Sequence, residues 1–230
     1  MVVYELALHI CFLSPLSYER VSDRIGTFID TALGEKEEYL GLHRSSTFKY
    51  YTYDHPYPIE PGRIYRSGRI YTIRLRTVIR EMAEYLAAKL SFRTRGGIQS
   101  LGGELRCIPQ KRIACVYTLT PVVMKAEQGY WRSWLQVYRY EEWLKNNLIR
   151  KYNYFTHTEI SGDFPLYQKI EFENECPVRI MCKNVVLLGD KLRLTASGNA
   201  RAQELLYMAL GTGLGNNNAR GCGFLTCRFR

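Results

Sequence analysis

This 230-residue chain has no apolar run near the roughly 20 residues that a membrane-spanning helix needs. No membrane-spanning helix is expected within these residues, and no membrane partner is expected. The opening, Met1-Val-Val-Tyr-Glu-Leu-Ala-Leu-His-Ile10, lacks a basic leader region and carries Glu5 and His9 within its apolar run. It reads as a first strand of a cytoplasmic protein. Cys-x-x-Cys pairs are also missing, and the seven cysteines, Cys11, Cys107, Cys115, Cys176, Cys182, Cys222 and Cys227, are an odd number. Zinc wants closely paired ligands and disulfides want an oxidising compartment, so reduced thiols with no structural metal and no cofactor are expected. Histidine is scarce, with four residues in all. No Gly-Lys-Ser/Thr occurs, and the glycine cluster over 213–223 lies between a helix and a strand, the reverse of a dinucleotide fingerprint.

Acidic residues are in deficit as well. Twenty-two Asp and Glu face 32 Lys and Arg, leaving a net charge of +10. A basic domain of this size commonly faces a polyanion. Eighteen tyrosines point to RNA among polyanions, because aromatic rings stack on unpaired bases while cations meet phosphates. Hydrophobic residues at 46% supply a normal core.

Two halves share one pattern. In the first, Val2–Leu13 is a buried strand, and Ser17 or Ser22 caps a helix with Val21, Ile25, Phe28, Ile29 and Ala32 on one face. Phe48–Tyr53 and Arg69–Arg76 read as strands, and Thr77 caps a helix bearing Met82, Leu86 and Leu90. A basic, Gly-rich loop over 93–103 leads to a strand at Glu104–Ile108. In the second half, Ala114–Thr120 is a strand, Tyr138–Tyr154 a helix, and Ile170–Phe172, Val178–Leu188 and Lys191–Ala196 are strands with Gly189-Asp190 as a tight turn. Ala200–Leu210 is a helix and Gly223–Phe229 the closing strand. The expected fold is α+β, two tandem ferredoxin-like (RRM-like) β-α-β-β-α-β domains, over 1–118 and 119–230.

The segment Gly213-Leu-Gly-Asn-Asn-Asn-Ala-Arg-Gly-Cys-Gly223 places Gly213, Gly215, Gly221 and Gly223 where backbone amides could approach phosphate oxygens. Asn216, Asn217, Asn218 and Arg220 add polar and cationic groups. Tight helix–strand packing is the structural alternative. With the two halves around it, this loop resembles that of the CRISPR-associated endoribonucleases that process precursor CRISPR RNA, in the RAMP superfamily. The resemblance implies a repeat-RNA partner, and interference-complex subunits or a second copy of the chain as further candidate partners.

RNA is cut without metal when its own 2′-OH attacks the adjacent phosphate, which requires a base, a cation and an acid. Histidine suits proton transfer because its pKa lies near neutrality. His9 falls in an apolar strand, His55 before Pro56 in a turn, and His157 at a helix end. His43, with Lys49 six residues later, resembles the family's catalytic histidine and lysine; some members add a tyrosine, for which Tyr39 is the candidate, with Arg44 or Ser46 as substitutes. A catalytically silent RNA-binding subunit shares the same outline. A two-RRM regulator lacks support, since its Lys/Arg-Gly-aromatic signature is absent. Arg66, Arg69 and Arg193 lie on or beside expected strands as candidate RNA contacts. RNA affinity measured at increasing salt should therefore fall linearly on a log–log plot, with a slope set by the phosphates neutralised.

Overall fold

The computed structural model describes residues 1–45, 47–182 and 185–230, with the side chains of His43 and Arg44 left out. The first half runs β1 (Val3–Phe12), β2 (Leu16–Ser17), α1 (Tyr18–Leu33), α2 (Glu37–Arg44), β3 (Tyr51–Tyr53), β4 (Ile64–Tyr65), β5 (Ile70–Thr77), α3 (Arg80–Leu90), β6 (Thr94–Arg95) and β7 (Ile98–Ile108). The second runs β8 (Ile113–Thr118), α4 (Val137–Thr156), β9 (Tyr167–Phe172), β10 (Val178–Cys182), β11 (Val185–Gly189), β12 (Leu192–Ala196), α5 (Ala200–Thr212) and β13 (Leu225–Phe229). Each half builds an antiparallel sheet in the ferredoxin-like order. The first reads β3-β5-β1-β7-β6 and the second β13-β8-β12-β9.

Alternation along β1 decides how the sheets are covered. Leu6, Leu8, Ile10 and Phe12 face α1 and α3 and join Val21, Ile25, Phe28, Ile29, Met82 and Leu86 in the first core. The opposite parity places Val3 in the core of the second half and Glu5 in a fully buried position. Glu5 receives Arg76 Nε at 2.6 Å and Arg106 Nη2 at 2.6 Å. Arg76 Nη1 also donates to the carbonyl oxygens of Leu225, at 2.6 Å, and Leu210, at 3.4 Å. One guanidinium thus joins the first sheet to both elements that flank the glycine-rich loop.

The structure differs from the local expectations at several points. Thr77 is not the N-cap of α3, which is Ile79; its hydroxyl accepts from Ile79 N at 3.1 Å and donates to Tyr50 O at 2.7 Å. The basic stretch over 93–103 is a hairpin, not a loop. Gly96 and Gly97 both take positive φ and turn β6 directly into β7. Strand β8 pairs with β12 and β13, so the chain passes from the first sheet to the second between Ile108 and Ile113. Finally, the stretch 178–188 divides into the β10–β11 hairpin, whose residues 183 and 184 lie outside the described ones.

Gly189-Asp190 is not a hairpin turn either. Asp190 exchanges backbone hydrogen bonds with Val122 at 2.8 and 2.9 Å, and its buried carboxylate accepts from four side chains. The donors are Tyr130 Oη at 2.6 Å, Trp131 Nε1 at 2.7 Å, Arg132 Nη2 at 2.8 Å and Asn174 Nδ2 at 3.0 Å. This fixes the segment entering α4 against β12. Asp190→Ala leaves those donors facing no acceptor and should cost about 3 kcal/mol or more, seen as a lower urea midpoint at unchanged slope.

Candidate nucleic-acid interface

Helix α5 ends at Gly213, whose φ of 75° no side-chain-bearing residue readily adopts. Leu214 then plunges into the second core, donating from its amide to Gly223 O at 2.9 Å. Asn216 N donates to Val123 O at 2.7 Å, and a single 3-10 turn over Asn218–Arg220 returns the chain to β13. Two glycines explain why this path demands the motif. A Cβ on Gly223 would sit 2.0 Å from Leu214 O, and one on Gly221 would sit 2.8 Å from the Tyr53 ring. The amides of Gly213, Gly221 and Gly223 are committed inside the fold, to Ala209 O, Asn218 O and Pro121 O. These glycines let the loop close, and the groups left to face a ligand come from the residues between them.

Asn218 holds the loop from within, donating Nδ2 to Leu214 O and to Cys222 O, both at 3.0 Å. Beneath it lies Lys151 on α4, 2% exposed, which donates to Gly213 O at 2.9 Å and to Asn218 Oδ1 at 2.6 Å. Burial pulls the Lys151 ammonium down to a pKa of about 7. Arg220 reaches across to α1 and pairs with Asp30 at 3.3 Å, and Asp30 also accepts from Tyr51 Oη at 3.3 Å.

The first half contributes the segment between α2 and β3. Lys49 donates its ammonium to Leu42 O, to Ser45 O at 2.7 Å and to Ser45 Oγ at 3.2 Å, so it closes the C-terminus of α2. Burial, helped by the Arg220 charge, lowers the Lys49 pKa, while Asp30 opposes the shift. Tyr50 follows with a φ of 55°, a strained value for an aromatic residue, and its hydroxyl donates to Lys151 O at 3.2 Å.

These parts enclose a cleft of about 260 Å³ between the halves, walled by Phe48, Lys49, Tyr50, Lys125, Lys151 and the loop residues 215–220. Lys49, Gly215, Asn216, Asn217, Asn218 and Arg220 are therefore brought together. Gly213, Gly221 and Gly223 stand behind the wall. His43 lies in the last turn of α2, whose end Lys49 holds, and its side chain is outside the described residues, as are that of Arg44 and the whole of Ser46.

Other expected site residues fall elsewhere. Tyr39, 2% exposed, packs in the first core with its ring 5.2 Å from that of Tyr85. It does not line the cleft, because α2 turns that side chain toward α1 and α3. Arg69 pairs with the buried Glu60 at 2.9 Å, and exposed Arg66 lies 3.9 Å from the same carboxylate, both beyond the cleft. Arg193 lies over the Tyr117 ring at 5.3 Å on the second sheet and faces Glu171 at 3.8 Å. Sequence reasoning missed Lys125 and Lys151. The signal for Lys151 was its place on the buried stripe of α4, with Leu144 and Leu148.

Residues 106–227, more than half of the chain, match the family described as CRISPR associated protein Cas6, C-terminal. No curated protein matches the chain by sequence. Among solved structures, a CRISPR associated protein Cas6 superposes with a TM-score of 0.72 at 19% identity, over 98% of this chain and 99% of its own. The product of a Cas6-related gene from Pyrococcus furiosus gives 0.71 at 15% identity, over 99% of both chains. A RAMP protein binding different RNA substrates gives 0.69 at 16% identity, over 99% of this chain and 100% of its own. At these identities the likeness is one of fold.

Gly223→Ala should lower the thermal midpoint and weaken RNA binding by about tenfold or more, since both its φ and its contact with Leu214 forbid a Cβ. Gly62→Ala, where a Cβ meets nothing within 4 Å, should change neither in the same filter-binding and melting assays.

Proposed function

The chain belongs to the CRISPR-associated Cas6 family, and from that premise we propose that it is an endoribonuclease cutting the repeat RNA of precursor CRISPR transcripts. The observation that carries this reading is the cleft between the halves, where Lys49, Lys125, Lys151 and Arg220 gather around a space sized for a phosphodiester and its sugar. In the reaction, the 2′-oxygen of the RNA attacks the adjacent phosphorus and the bond to the 5′-oxygen breaks. The products are a 2′,3′-cyclic phosphate and a 5′-OH, so no water or metal is consumed or required. His43 takes the 2′ proton, and the cleft cations stabilise the extra negative charge of the phosphorane. A donor must return a proton to the 5′-oxygen, and protonated His43 or a cleft ammonium suits that role.

Lys49 enters this scheme differently from a free cation. Its ammonium spends its hydrogens on the end of α2, so it fixes the helix turn that carries His43. That same observation favours a second reading, a binding subunit that holds repeat RNA without cutting it. The two separate cleanly. Cleavage should persist in EDTA, and a repeat with 2′-H at the cut site should bind normally and remain intact; cutting of that deoxy substrate would sink the mechanism. His43→Ala should slow cleavage by about 10²-fold or more at unchanged RNA affinity. Tight binding with no cutting of a cognate repeat by the unaltered chain would establish the binding subunit instead.

A further inference from the structure

Lys151 is a buried cation with no carboxylate paired to it among the described residues. Its acceptors are neutral, Gly213 O at 2.9 Å and Asn218 Oδ1 at 2.6 Å, and both belong to the glycine-rich loop. An ammonium carries three hydrogens, so one is left after these bonds. The residue is 2% exposed yet forms part of the cleft wall, with the Phe48 ring centroid 6.0 Å from Nζ. Taking a charge out of water without a counter-ion is costly, and proteins tolerate it where an ion of opposite sign completes the site. The surrounding wall has no surplus of acid to do so: Asp30 already receives Arg220 and Tyr51, and Lys49 and Lys125 add positive charge.

We propose that Lys151 is the floor of an anion subsite in this cleft, taking a singly bridged phosphate of RNA and locking the glycine-rich loop around it. The assignment of the anion to RNA rests on the function proposed above; the subsite itself does not. Anion binding should then be coupled to proton uptake. Without an anion, burial brings the Lys151 ammonium to a pKa of about 7, so above neutral pH the amine is largely uncharged. An anion against it favours the charged form and raises that pKa, and the proton must come from solvent. The charged and titratable groups that share the cleft wall with Lys151 are Lys49 and Tyr50 from the first half, Lys125 from the segment after β8 and Arg220 from the loop; Asp30 on α1 pairs with Arg220, and Tyr154 on the same helix as Lys151 stacks on Tyr50. Lys49 has a lowered pKa of its own, so a variant at 151 must separate the two lysines.

Sulfate is the probe, because it stays dianionic from pH 6 to 9. Calorimetry of the full chain at pH 8, in buffers of different ionisation enthalpy, should show uptake of up to about one proton per sulfate bound. Lys151→Met should abolish that uptake and weaken sulfate by about tenfold. Lys151→Arg should bind sulfate with no proton uptake, since its guanidinium is already charged. An unaltered chain that takes up no proton overturns the proposal, as does a Lys151→Met variant that keeps full affinity and uptake. If the Met variant does not fold, the unaltered chain and the Arg variant still decide. Sulfate should also compete with a repeat RNA carrying 2′-H at the cut site; sulfate that binds without competing overturns the assignment to RNA phosphate. Failure of cleavage with these results intact would remove the nuclease reading alone.

Discussion

The guanidinium of Arg76 is the joint on which the cleft depends. It is buried, bonded to Glu5 within its own sheet, and bonded through Nη1 to carbonyls at the end of α5 and the start of β13. The glycine-rich loop runs between those two carbonyls. Phe224, the residue that follows the motif, lies under the same guanidinium at 4.4 Å. A buried pair of this kind contributes little net stability against a well-packed apolar substitute, because desolvation offsets most of the attraction. Its value is positional. The planar fork permits one mutual placement of the first sheet and the loop, and the two walls of the cleft are thereby held at a fixed separation.

Much of this architecture was legible. Apolar alternation in β1 and the 3.6-residue spacing of Val21, Ile25, Phe28, Ile29 and Ala32 in α1 are local signals, and both halves of the fold follow from repeating them. The failures share a physical cause. Thr77, Gly189 and Asp190 have local chemistry that suits caps and turns, but tertiary partners used their polar groups otherwise. Asp190 became a four-donor acceptor because the consecutive Tyr130, Trp131 and Arg132 and the distant Asn174 converge on it from two segments. No window of sequence displays that convergence.

The site shows the same division. The glycines announce a loop with special backbone, yet three of their amides serve the fold and face no ligand. Lys151 sat in plain view on the apolar stripe of α4, where a lysine is an anomaly, since helices place lysine on the solvated side. Tyr39 lies away from the cleft. Its side chain packs in the first core with its ring 5.2 Å from that of Tyr85, a tertiary contact that the local sequence does not display.

The two halves therefore make unlike contributions to one cleft. A ferredoxin-like sheet used as an RNA platform reads bases on its open face and needs only itself. Here the first half brings the α2 turn that carries His43, closed by Lys49, while the second brings the loop and the buried Lys151. Neither half alone builds both walls of the cleft. That arrangement explains why strain and burial accumulate at the seam. Tyr50 holds a left-handed backbone there, Lys151 holds a charge out of water, and Gly221 allows Tyr53 to press against the loop. Each is unfavourable in isolation, and the bond from the Tyr50 hydroxyl to Lys151 O and the Tyr53 ring against Gly221 are made across the halves, so the cleft exists only while the halves are docked. Arg76 keeps them docked.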